Sequence, residues 1–109
     1  MKNRQGKKAL HLKMGWRLSL ALSQTGQREG RSPTAQAEYD LELILPIIQA
    51  ERRYRVMPDE VDFDPLTHAL KPCLSSESFE FLGDSARSLG LSANEYSREL
   101  LWFVLACRR

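Results

Sequence analysis

The chain has 109 residues, 42% of them hydrophobic and 28% charged, with a formal net charge of +2. That is enough apolar sequence for one small core, and too little length for a catalytic scaffold such as a (β/α)8 barrel of roughly 250 residues. The small net charge hides an asymmetry: residues 1–35 carry eight Lys/Arg against one acid, residues 36–70 eight acids against three Arg, and residues 71–109 are balanced.

The N-terminal MKNRQGKKAL is basic, and no continuous apolar segment follows it, so the chain reads as cytoplasmic. From Leu10 to Leu22 every second residue is apolar: Leu10, Leu12, Met14, Trp16, Leu18, Leu20 and Leu22. Period two predicts a strand with one buried face, with Gly15 at a bulge or bend and His11 and Lys13 on the polar side. Residues 23–35, SQTGQREGRSPTA, read as an exposed loop. Alternation resumes at Tyr39, Leu41, Leu43 and Leu45 and predicts a second strand, for which a helix over 36–45 is the rival. The acidic face of the second strand suits the basic face of the first, which favours an antiparallel hairpin. Pro46 then opens a short helix, PIIQAERRYR.

Residues 57–66, with two prolines and four acids, read as an acidic linker between an N-terminal portion, 1–56, and a C-terminal module, 67–109. No internal repeat stands out. The module begins with a weak strand, THALKPCL, in which Leu70, Pro72 and Leu74 share one face and Ala69, Lys71 and Cys73 the other. Pro72 lacks an amide donor and so predicts an edge position with that amide site turned outward. Ser75 caps a first helix whose stripe is Phe79, Leu82, Ala86 and Leu89, and Gly90 ends it. Ser92 and Glu95 form a capping box that opens a second helix, apolar all round from Leu100. Such a helix needs cover on several sides, from the N-terminal sheet or from a second copy of the chain. The expected fold is therefore α+β: a β-hairpin-like N-terminal portion followed by a strand-helix-helix module, dimeric.

A short strand, L-S-S-E, an amphipathic helix, L-G-L-S-x-x-E-Y and a second helix together resemble the ribbon-helix-helix DNA-binding module of the MetJ/Arc type, over residues 67–109. The resemblance implies a homodimer whose paired strands enter the major groove of duplex DNA. It turns Ala69, Lys71 and Cys73 toward the bases and places a phosphate at the second helix's N-terminus, around Ser92, Ala93 and Asn94. It puts Tyr96, Leu100 and Val104 in the dimer core. The implied roles are those of bacterial-type transcriptional regulators, antitoxins and plasmid accessory factors. Lys2, Arg4, Lys7 and Lys8 would add contacts to phosphates. Two of the three base-facing residues are Ala and Cys, a departure from the polar residues such strands usually present. A helix-turn-helix is the competing DNA-binding reading, but it would make an apolar helix the recognition element.

The alternative is a protein-interaction or assembly subunit that docks through the apolar C-terminal helix. No catalytic motif, metal-ligand spacing or cofactor motif is present, so an enzyme is not expected. Cys73 and Cys107 are too far apart to suggest a disulfide framework, His11 and His68 are isolated, and the acids of 57–66 lack a calcium-loop pattern.

Overall fold

The computed structural model describes residues 6–51 and 64–108, in the order β1 (Lys7–Ala9), β2 (Leu12–Met14), α1 (Trp16–Glu29), α2 (Pro33–Glu51), β3 (His68–Leu70), β4 (Cys73–Ser75), α3 (Ser76–Ser88) and α4 (Ala93–Cys107). The fold is α+β, with two antiparallel strand pairs, β1 with β4 and β2 with β3.

The two pairs are consecutive stretches of one ribbon. Lys7 lies opposite Ser75, and Ala9 opposite Cys73; Leu12 lies opposite Leu70, and Met14 opposite His68. Between them the Leu10 amide donates to the Pro72 carbonyl at 2.8 Å. Proline has no N–H to return that bond, so the ladder is interrupted there. This corrects the expected placement of Pro72: it faces its partner strand, and the ribbon absorbs one missing bond.

Each half of the chain is thus a strand followed by two helices, and the halves repeat at an offset of sixty residues. Gly30 and Gly90 end the first helix of each half, both left-handed with φ of 76° and 75°. Ser32 and Ser92 cap the second helices by accepting from the Ala35 and Glu95 amides, at 3.1 and 3.0 Å. Arg31 N to Gly26 O, at 2.7 Å, is matched by Leu91 N to Ala86 O, at 2.9 Å. The ribbon obeys the same offset, since moving the pair Lys8–Leu74 by sixty in each direction gives His68–Met14. The repeat is chiefly one of architecture: the identical pairs, Ala9/Ala69, Leu10/Leu70, Leu22/Leu82, Gly30/Gly90, Ser32/Ser92, Leu41/Leu101 and Leu45/Leu105, are scattered over two forty-residue stretches, which is why no repeat stood out in the sequence.

The hairpin expected within the first half is replaced by a helical pair. Only the start of the Leu10–Leu22 alternation is a strand; from Trp16 the chain is α1. The stretch read as an exposed loop is the end of α1, a Gly30-Arg31-Ser32 corner and the start of α2. The second expected strand and the first part of the short helix expected from Pro46 are both α2, which runs through Pro46 to Glu51; the rest of that expected helix lies outside the described residues. The expected linker lies mostly outside the described residues; its last member but two, Asp64, is tied to α1 by the Arg17 guanidinium at 2.9 Å.

One core joins both halves. Leu10, Leu12 and Met14 from the ribbon, Leu18 and Leu22 from α1, Leu41 and Leu45 from α2, and Leu82 from α3 surround Tyr96, Leu100, Leu101 and Leu105 of α4. The side chains assigned to a dimer core, Tyr96, Leu100 and Val104, are buried within this single chain. α4 packs on α1, α2 and β2 of the first half and on α3 of its own half, so its cover comes from within the one chain and no second copy is needed for it. The same burial removes the apolar C-terminal helix as a docking face. The large apolar side chains left exposed lie mainly in the first half: Trp16 and Leu20 on α1, and Tyr39, Leu43 and Ile47 on α2. No helix among the described residues is long and apolar enough to cross a membrane.

Candidate nucleic-acid interface

Alternation along the ribbon sorts its side chains onto two faces. Leu10, Leu12, Met14, Pro72 and Leu74 are buried against the helices. The opposite face turns away from the core and carries Lys7, Ala9, His11 and Lys13 from the first strand and Ala69, Lys71, Cys73 and Ser75 from the second. Ala69, Lys71 and Cys73 do share one face, the outward one. They lie beside a set that the sequence reading left out of the site, His11 and Lys13, and beside Lys7. The signal was present, because His11 and Lys13 alternate with Leu10, Leu12 and Met14. Among the described residues no ion pair engages Lys7, Lys13 or Lys71. The register puts His11 opposite Lys71 at the centre of the ribbon.

Lys2 and Arg4 lie outside the described residues. Lys8 is turned off this face toward α3, where its ammonium sits 5.7 Å from the Phe79 ring centre and 3.8 Å from a Glu80 carboxylate oxygen.

The two outer edges of the ribbon are closed by side chains from the second helix of the opposite half. On the β2 edge, Asn94 accepts from the Lys13 amide at 2.7 Å and donates to the His11 carbonyl at 2.5 Å, while Arg98 donates to the Lys13 carbonyl at 3.2 Å. On the β4 edge, Glu38 accepts from the Cys73 amide at 2.8 Å and Glu42 from the Ser75 amide at 2.7 Å. Glu42 also accepts from the Ser78 hydroxyl at 2.6 Å. Open edges invite pairing with other chains, and here the backbone groups at Lys13, Cys73 and Ser75 and the His11 carbonyl are already occupied. Two of the eight acids in residues 36–70, Glu38 and Glu42, thus serve donors along the β4 edge.

Ser92, Ala93 and Asn94 do open α4, with the expected capping box: Ser92 accepts from the Glu95 amide, and Glu95 accepts from the Ser92 amide at 3.1 Å. The Asn94 side chain is committed to the ribbon edge and is not directed outward. Ser32 opens α2 at the equivalent place in the first half. A face of paired strands bearing three lysines and a histidine, with helix N-termini from both halves beside it, can hold an array of anionic oxygens and donate hydrogen bonds to acceptors between them. No group of three or more His, Cys, Asp or Glu side chains among the described residues is arranged to hold a metal.

Comparison with known protein families, with curated proteins and with solved structures finds no match to this chain.

Proposed function

We propose that this protein is a small DNA-binding protein of the ribbon-helix-helix type in which one chain supplies both strands and both helix pairs. It acts in the cytoplasm as a transcriptional regulator, antitoxin or plasmid accessory factor. The observation that carries the reading is the antiparallel ribbon between residues 7–14 and 68–75, with Lys7, His11, Lys13 and Lys71 on its outward face. A two-stranded ribbon fits the major groove of B-form DNA, where lysine donates to the O6 and N7 acceptors of guanine. The N-termini of α2 and α4 lie on opposite flanks, as two phosphate contacts on either side of one groove require. The twin that the resemblance implies for the C-terminal module is supplied by the first half of the same molecule.

Titration with duplex DNA at several salt concentrations tests this. Each phosphate neutralised contributes about −0.9 to the slope of log affinity against log salt. Binding with a clear negative slope, weakened in Lys13→Ala and Lys71→Ala, supports the reading. Absence of binding at low salt, or binding without salt dependence, overturns it. The rival reading, a protein-binding subunit, keeps one observation in its favour: the exposed apolar row Tyr39, Leu43 and Ile47. It predicts association with protein and indifference to duplex DNA.

A further inference from the structure

The sixty-residue offset allows each half of the outward face to be compared with its counterpart. Ala9 corresponds to Ala69, His11 to Lys71 and Lys13 to Cys73, and of these only the alanines are alike. The edge-closing residues differ more sharply. Arg98, beside Lys13, corresponds to Glu38, beside Cys73. One flank of the ribbon therefore carries two cations, Lys13 and Arg98, where the other carries a thiol and a carboxylate, with a single lysine, Lys7, beyond them at the end of the ribbon opposite Ser75.

A ribbon built from two identical chains must present equal halves, and so fits a site with two-fold symmetry. This ribbon has the outline of that symmetry without its chemistry. Resting on the DNA-binding reading above, we propose that one chain binds a non-palindromic duplex element in a single orientation, with the guanine-bearing half of the element against Lys13. The chemistry is stated by the groups present. Lys13 donates to guanine O6 and N7, whereas Cys73 is a weak donor and Ala69 can do no more than touch a thymine methyl. The charge difference works in the same direction. Arg98 attracts the phosphates beside β2, and its counterpart beside β4, Glu38, supplies no such cation, so the two ways of laying the chain on one element are unequal in energy.

Selection of the full chain against a duplex library with a randomised centre reads this out. The expected element lacks two-fold symmetry, is bound by one chain per duplex in sedimentation, and has guanine preferred at the position facing Lys13 with no guanine preference at the symmetric position facing Cys73. Lys13→Ala should abolish the guanine preference at its own position and leave the other half of the element unchanged. Cys73→Lys, which restores equal residues at corresponding places, should add guanine at the symmetric position and make the element more nearly palindromic. Lys13 is exposed, so its variant tests the idea even if Cys73→Lys fails to fold; circular dichroism decides that point. A palindromic element for the wild-type chain, two chains per duplex, or a Lys13→Ala profile identical to wild type overturns the inference while leaving DNA binding intact. Absence of any duplex binding removes the underlying reading instead, and this inference with it.

Discussion

The Arg108 guanidinium closes on both carboxylate oxygens of Asp40, at 2.8 and 2.6 Å, and so ties the end of α4 to the middle of α2 across 68 positions of sequence. Asp40 is fully buried, and its Oδ1 also accepts from Gln36 at 2.9 Å. Asp40 in turn holds the Arg108 proton more tightly than usual, through the paired hydrogen bonds. The sixty-residue counterparts of Gln36 and Asp40 are Tyr96 and Leu100, both buried and neither charged. The two second helices thus meet with unlike faces. Removing one partner leaves a buried charge unpaired, which costs on the order of 3–5 kcal/mol, whereas replacing both can be nearly neutral. Arg108 is partly exposed, so Arg108→Ala should cost about 3 kcal/mol, at the lower end of that range. Arg108→Ala with Asp40→Asn, which removes the buried charge and keeps an oxygen to accept from Gln36, should recover most of the loss. Urea unfolding of the three proteins checks this; equal losses in the single and double variants would show that the pair itself is what stabilises.

The ribbon edges give a residue-by-residue expectation. Glu42 satisfies the Ser75 amide and the Ser78 hydroxyl, and Glu38 the Cys73 amide. Leaving a covered donor without its acceptor costs about 1–3 kcal/mol. Amide exchange at Ser75 should accelerate in Glu42→Ala and at Cys73 in Glu38→Ala. In Glu42→Gln, whose side-chain oxygen can still accept, exchange at Ser75 should stay close to wild type. Acceleration spread evenly over the ribbon in both alanine variants would mean that these carboxylates act on global stability alone.

The C-terminal half was legible because its signals agree: capping serines, a glycine stop, and apolar residues spaced for one helix face each. The first half misled through an arithmetic coincidence. In α1, Leu18 and Leu22 form one row four apart and are buried, while Trp16 and Leu20 form another and are 54% and 48% exposed. Two interleaved rows at spacing four look like one row at spacing two. The same happens in α2, where Leu41 and Leu45 are buried and Tyr39, Leu43 and Ile47 are exposed. The apolar residues of the exposed rows are surplus to the core, and nothing local distinguishes them from core residues. The corner Gly30-Arg31-Ser32 carried the glycine and serine signals read correctly at Gly90 and Ser92, but it sat in a polar stretch that resembles a loop. The outward face was half legible: Ala69, Lys71 and Cys73 could be grouped by alternation, but the strand that supplies His11 and Lys13 beside them is some sixty residues away, and no local pattern states that pairing.

The Arg17–Asp64 contact makes stability depend on pH at the acid end. Arg17 donates to both Asp64 oxygens, at 2.9 and 3.3 Å. These hydrogen bonds, opposed by some desolvation and aided by the opposite charge, hold the Asp64 carboxyl below its ordinary 3.8. A carboxylate depressed in the folded state adds stability above its unfolded pKa and loses that contribution as pH falls through the folded value. Wild type should therefore exceed Asp64→Asn in unfolding midpoint by a constant margin at neutral pH, and the margin should close as pH drops below the ordinary carboxylate range. A margin that persists at strongly acid pH would mean that Asp64 acts through packing.

Two helical glycines should respond oppositely to alanine. A Cβ on Gly26 would lie 2.5 Å from the Arg31 carbonyl oxygen and 3.3 Å from that of Ser32, both backbone atoms that cannot swing aside. Ala86 holds the corresponding place in the second half, so a corner of this type can admit a methyl group. The first corner is the tighter one, with its closing bond at 2.7 Å against 2.9 Å. Gly83, in the interior of α3, has open space where a Cβ would go. Alanine there restricts the unfolded chain and should stabilise by about 0.5–1 kcal/mol. Gly26→Ala should destabilise by about 1–3 kcal/mol, as overpacking does. For a domain of this size 1 kcal/mol corresponds to roughly 4–8 °C, so thermal melts should move in opposite directions by readily measured amounts. A rise in Tm for Gly26→Ala would show that the first corner can open to the width of the second, and that the closeness of Arg31 to Gly26 is not a requirement of the fold.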